Sequence, residues 1–175
     1  ATHLICMNIL SLSFNFADGF GIAASSLAGQ SLGAKRPDMA ILYVKAGQRI
    51  VCCISALLCL VFIFGRRFLV SLFTTDLEVI ELGSIIVLMM AGITWLQTSA
   101  VVISGSLRGA GDTRYVALTS LVSIAILRPF SSWLLCYPLG FGLIGAWFAL
   151  FIDIGTRLVL NYWRFSTGKW TTIKV

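Results

Sequence analysis

The sequence predicts an all-α integral membrane protein whose chain crosses the bilayer five times. Composition is the first reason: 58% of the 175 residues are hydrophobic and 11% are charged, against about 45–50% and about 25% in a soluble domain. The second is the mean hydropathy of +0.95, too apolar for a chain this size to coat a folded globule with polar groups. The third is the layout, with five runs that each approach the about 20 apolar residues a membrane helix needs. The runs are too long for barrel strands and do not alternate. A soluble enzyme, a disordered chain and a secreted disulfide scaffold are all excluded by the same numbers.

The first span, 4–32, is broken only by Asp18. Lys35-Arg36 follows, and Pro37 suits the first turn of a short helix. The second span, 46–64, carries Arg49 near one end, where its long stem can snorkel to the interface. The third, 79–107, is uncharged from Leu82 onward and is preceded by Thr75-Asp76-Leu77-Glu78, a sequence of capping-box form. Asp112-Thr113 supplies N-cap chemistry for the fourth, 116–137, which contains Arg128 and Pro129. Pro138-Leu139-Gly140-Phe141-Gly142 interrupts the apolar run before the fifth, 143–163, with Asp153 and Arg157; residues 164–175 form a polar tail. The pairs Ala24/Ala28, Gly29/Gly33, Gly105/Gly109 and Gly145/Ala149 have the spacing that lets membrane helices approach closely.

Charge sets the expected orientation. Lys35, Arg36, Lys45, Arg49, Arg108, Arg114, Arg164, Lys169 and Lys174 fall on one side. The other side has Arg66 and Arg67, offset by Asp76, Glu78 and Glu81. The positive-inside bias then puts the start outside and the C-terminus in the cytoplasm. Ala1 has no charged segment before the apolar run, so the start does not read as a signal peptide. An external start before five spans predicts that the chain begins partway into a longer protein. The net charge of +6 and pI near 9.4 come from these clusters. No stripe of basic and stacking aromatic residues is present, so nucleic acid is not an expected partner. Cys6, Cys52, Cys53, Cys59 and Cys136 lie in apolar runs and behave as small apolar side chains.

Ionisable groups within spans usually face a cavity, a partner or an ion path. Asp18 lies among glycines that loosen the helix and admit water, which suits a cation or proton site, a solvated cavity wall or a structural hydrogen bond. Arg128 precedes a proline that frees a backbone carbonyl one turn earlier; it can satisfy that group or pair with a carboxylate. Asp153 and Arg157 have the i, i+4 spacing of an intrahelical ion pair. Enzyme chemistry is not expected. His3, the one histidine, has no second ligand or nucleophile at a catalytic spacing, and Gly109-Ala110-Gly111 lacks the Gly-Lys-Ser/Thr of a phosphate-binding loop.

Several motifs, in order, resemble one family. Ala1-Thr2-His3-Leu4-Ile5 and the stretch from Gly21 to Ala34, with Gly29, Gln30 and Gly33, resemble the eighth helix and following loop of the multidrug and toxic compound extrusion (MATE) family. The segment Gly105 to Arg114, with Arg108, Gly109, Gly111 and Asp112, looks like the end of its tenth helix. Leu127-Arg128-Pro129-Phe130 resembles a stretch common in the eleventh helix of bacterial members, and Tyr162 to Trp170 is similar to their closing tail.

The resemblance implies a bacterial inner-membrane protein of twelve helices in two six-helix lobes, of which this chain supplies helices eight to twelve. Such proteins are secondary antiporters: entry of Na⁺ or H⁺, with no other cofactor, drives export of amphipathic, often cationic, compounds as the lobes rock. The implied partners are the bilayer, small organic cations and a missing N-terminal lobe. Some members carry a carboxylate in the tenth helix, where this chain has Gln97. Gln cannot take up a proton, so the coupling carboxylates are expected mainly in the missing lobe, with Asp18 as accessory. Met89, Met90, Trp95 and Gln97 are candidate substrate contacts, since thioethers and aromatic faces suit varied apolar cations. A lipid-linked oligosaccharide flippase of the same superfamily and a non-transporting membrane subunit are the alternative readings.

Overall fold

The computed structural model describes residues 2–138 and 140–172; Ala1, Leu139 and Lys174, named above, lie outside the described residues. Six α-helices follow in order: α1 (Thr2–Gly33), α2 (Pro37–Ser71), α3 (Leu77–Gly109), α4 (Thr113–Val122), α5 (Arg128–Cys136) and α6 (Gly142–Ser166). A π-turn, Ser123–Leu127, joins α4 to α5, and a 3₁₀ turn, Lys169–Thr172, follows α6. Taking α4, the π-turn and α5 as one unit, five helical stretches among the described residues are long and apolar enough to cross a membrane. No strand occurs among the described residues.

The second stretch corrects the sequence expectation. No separate short helix follows Lys35-Arg36, because Pro37 itself opens α2, which runs 35 residues. Proline's fixed φ is already helical and its missing N–H is not needed in the first turn. Asp38 then adds a favourable charge at the positive end of the helix. At 1.5 Å per residue α2 is about 52 Å long, well beyond the about 30 Å hydrocarbon core. The uncharged stretch between Arg49 and Arg66, residues 50–65, is about 24 Å long, so the two arginines reach opposite interfaces.

Two helix starts also differ from the expected caps. At α3 the cap is Asp76 rather than Thr75: its Oδ1 accepts from the Glu78 N–H at 3.0 Å. At α4 Asp112 occupies the cap position but its side chain makes no cap bond; its carboxylate is taken by Arg164 at 2.6 Å. A charge-assisted bond to a guanidinium outcompetes a neutral backbone donor.

Two helix ends share one device. After α3, the Gly111 N–H donates to the Arg108 carbonyl at 3.1 Å and the Asp112 N–H to Leu107 at 2.9 Å, a Schellman motif. It needs a left-handed residue, and Gly111 supplies it at φ +86°. After α1 the same pair of bonds runs from Lys35 to Leu32 and from Arg36 to Ser31. There the left-handed position falls on Lys35, at φ +57°.

α3 lies at the centre, packed against α1, α2 and α6, while α5 packs on α6. Its buried residues point to all sides, as expected of a helix enclosed by others. One core cluster joins Cys6 and Leu10 of α1, Phe62 of α2, Ile86 and Met90 of α3 and Trp147 of α6. A second, nearer the tail, gathers Ala40, Leu107, Val116 and Trp170. In lipid this packing is held by close van der Waals contact rather than by escape from water. Large apolar side chains remain exposed around the bundle, Phe64 at 84% among them, a surface suited to hydrocarbon.

Candidate functional site

Glycine positions the polar residues of α1 and α3. A Cβ at Gly105 would strike the Gly21 backbone, one at Gly109 the Ser25 backbone, and one at Gly29 would come within 2.9 Å of the Gly109 carbonyl oxygen. The two helices therefore touch backbone to backbone along the Gly105/Gly109 pair. Not every small-residue pair packs this way: Gly33 has no atom near its missing Cβ, whereas Gly145 of α6 sits on the Leu135 backbone of α5.

Beside this seam opens a cleft of 590 Å³ lined by Asp18, Gly21, Ile22, Ser25, Ser26 and Arg108. Asp18 is exposed and has no ion-pair partner among the described residues. Arg108, also exposed, opens onto the same cleft from the last turn of α3. An unpaired carboxylate, two hydroxyls and a guanidinium thus share one water-accessible space. Gln30, one turn beyond Ser26, donates to the Ser26 Oγ at 3.2 Å.

Gln97 is not in that cleft. It lines a separate cavity of 40 Å³ with Ser104, Ser120, Arg157 and Asn161. Arg157 Nη2 lies 3.2 Å from Asp153 Oδ2, and Asp153 is fully buried. Asp153 Oδ1 and Arg157 Nε have no hydrogen-bond partner among the described residues. The Asp153 backbone carbonyl accepts from Ser123 Oγ at 3.3 Å, which ties α6 to the π-turn. That turn sits just before Pro129, whose missing N–H breaks the regular ladder; the Arg128 N–H reaches back to the Ser123 carbonyl instead. The Arg128 side chain is half-buried and has neither a carboxylate nor a carbonyl partner among the described residues. The expectation that it answers the proline's freed carbonyl is therefore corrected, and Ser131 Oγ bonds the nearby Leu127 carbonyl at 2.6 Å.

The three candidate apolar contacts separate. Met90 is fully buried in the core cluster, and Met89 packs partly against it. Trp95 is 41% exposed. Sequence reasoning missed a larger apolar chamber of 620 Å³ between α1 and α2, whose walls include Phe16, Leu57, Leu58, Phe62 and Phe73, with Asn8 and Ser13 as its polar points. It missed as well the clamp around Asp112. There Arg164 Nε bonds the carboxylate at 2.6 Å, its guanidinium lies 5.0 Å from the Tyr115 ring centre, and Tyr115 Oη donates to the Leu160 carbonyl at 3.0 Å. The only hint of it was an aspartate beside a span end with a basic residue in the tail.

Comparisons with known proteins agree with the fold. The MatE family model matches residues 1–134. The probable multidrug resistance protein NorM of Thermotoga maritima is 26% identical over 170 residues, covering 97% of this chain and 37% of that protein. Protein DETOXIFICATION 42 of Arabidopsis thaliana is 28% identical over 168 residues, covering 96% of this chain and 32% of that one. In fold, the chain is similar to the crystal structure of the eukaryotic MATE transporter AtDTX14, with a TM-score of 0.90 at 19% identity over 97% of this chain and 38% of that one. This chain spans about a third of the length of each of these proteins, from 32% to 38%. With a family model matched over most of its length and the fold of a MATE transporter, the chain belongs to the MatE family, that of multidrug and toxic compound extrusion proteins.

Proposed function

We propose that the chain forms helices eight to twelve, most of the C-terminal lobe, of an antiporter that exports amphipathic or cationic compounds in exchange for Na⁺ or H⁺. The observation that carries this reading is the cleft that places the unpaired, exposed Asp18 beside the α1–α3 seam. A carboxylate held in a membrane span without a partner is favourable only where water or a cation reaches it. The multidrug resistance name of the Thermotoga maritima relative supports the substrate class. The short share of each relative covered supports a second lobe as partner, the two rocking to alternate access. The bias of basic residues supports a cytoplasmic tail, in a bacterial inner membrane. With Gln97 where some members carry a carboxylate, coupling falls mainly to the other lobe and Asp18 is accessory.

The test is dye efflux from proteoliposomes of the native protein under imposed Na⁺ or pH gradients. Export that follows one gradient, and that Asp18→Asn slows severalfold without abolishing, is the expected result. Loss of all ion-coupled export in Asp18→Asn, with every carboxylate of the other lobe dispensable, would overturn the accessory role. Gradient-independent movement of a lipid-linked oligosaccharide would favour a flippase.

A further inference from the structure

Lys45 and Arg49 stand one turn apart on α2, both exposed, and neither has an ion-pair partner among the described residues. They border two clefts at once. One, of 250 Å³, is also lined by Val44, Gln48, Ile103, Tyr162 and Phe165, and so lies between α2, α3 and α6. The other, of 540 Å³, runs along α2 past Asp38, Ile41 and Leu42.

The smaller cleft combines three kinds of chemistry. Its floor is apolar, with Val44 3% and Ile103 4% exposed. Its rim carries the two cations and Tyr162, 59% exposed. Between them Gln48 holds a buried Oε1 acceptor with no partner among the described residues, while its Nε2 contacts the Cys52 Sγ at 3.7 Å. A buried acceptor without a donor is costly. A suitable ligand therefore brings negative charge for the cations, an O–H or N–H for Gln48, and apolar surface for the floor.

Depth narrows the source. Arg49 closes one end of the uncharged stretch 50–65, so the pair sits at headgroup level. Around it Lys35, Arg36, Lys45 and Arg49 oppose one carboxylate, Asp38, while nearby Arg164 is already paired with Asp112. Basic pockets between helices at this level suit anionic lipid headgroups. We propose that this cleft binds one anionic glycerophospholipid of the leaflet on the tail side. Its phosphodiester lies between Lys45 and Arg49, a headgroup hydroxyl donates to Gln48, the glycerol end rests on the apolar floor of the cleft, and the acyl chains run past Arg49 along the uncharged stretch 50–65. The site stands apart from the transport reading and needs only that the chain spans a membrane.

Native mass spectrometry of the delipidated native protein, titrated with phosphatidylglycerol, tests it. Lys45→Gln/Arg49→Gln is expected to weaken binding about thirtyfold, from two basic contacts at the membrane surface. Lys35→Gln/Arg36→Gln, which removes the same charge outside the cleft, should change it less than about twofold. Gln48→Met, with both cations kept, should erase a preference for phosphatidylglycerol over phosphatidic acid. Equal losses in the two charge variants, or no loss in either, would overturn the site, as would displacement of the lipid by millimolar inorganic phosphate. Since neither cation makes a side-chain bond among the described residues, the lipid-free variants should melt with the parent, and phosphatidylglycerol should raise the Tm of the parent alone.

Discussion

Replacing Gly109 with alanine is the sharpest probe of how α1 and α3 are held together. The added methyl would meet the Ser25 carbonyl oxygen at far less than van der Waals separation and the Ser25 Cα at 2.8 Å. All of these atoms are backbone, so no rotamer change relieves the clash and the helices must part. Overpacking of this kind costs about 1–3 kcal/mol. A gap of even half an ångström along the seam forfeits dispersion energy as well. Alanine also returns about 0.8–1.0 kcal/mol of helix propensity, so the right comparison is Gly19→Ala, on α1, where nothing lies within 4 Å of the new methyl. Gly19, inside α1, gains that full amount and Gly109, the last residue of α3, gains at most that, so the clash dominates their difference. Gly19→Ala should be neutral or stabilising, and Gly109→Ala should lie about 1–3 kcal/mol below it, read by thermal melting in mild detergent. Because Ser25 lines the Asp18 cleft, dye efflux should fall with Gly109→Ala. Equal stability of the two variants would refute the backbone-to-backbone seam.

Further outcomes follow from other contacts. Lys35→Gly should stabilise by up to about 1 kcal/mol, since a left-handed φ is strained for lysine and free for glycine; an unchanged or lower Tm would count against the strained turn. Arg157→Leu strands the fully buried Asp153 and should cost about 3 kcal/mol. Asp153→Leu should cost less, because Arg157 keeps 22% of its side chain exposed, and the double leucine variant should recover much of the loss. A double variant no better than Arg157→Leu would mean that the stranded carboxylate is not what destabilises the single variant. For the tail clamp, a double-mutant cycle of Asp112→Ala and Arg164→Ala should give a coupling of roughly 1–2 kcal/mol, measured as shifts in melting; additive losses would show that the 2.6 Å contact contributes nothing in solution.

The two polar clusters differ in what brings their residues together. Asp153 and Arg157 lie four apart on one helix, where 3.6-residue geometry alone brings them together. Asp18 and Arg108 are ninety residues apart in sequence, and nothing local links them. They share a cleft only because Gly105 and Gly109 let α3 settle on the α1 backbone. Asp112 shows the opposite lesson. Its place before Thr113 reads as a helix cap, yet a residue 52 positions later claims its carboxylate.

By itself the sequence determined that the chain is helical and spans a bilayer five times, because run length and hydropathy are summed along the chain and need no partner. It also marked, through Pro129, that a backbone carbonyl is freed within the fourth span, since proline removes a donor wherever it stands. Only the tertiary structure decided that Met90 is core, that α2 continues from Pro37 through both interfaces, and which polar side chains share a cavity. Neighbours across helices are chosen by shape, through which glycines face which backbones, and that fit exists only once the helices are packed.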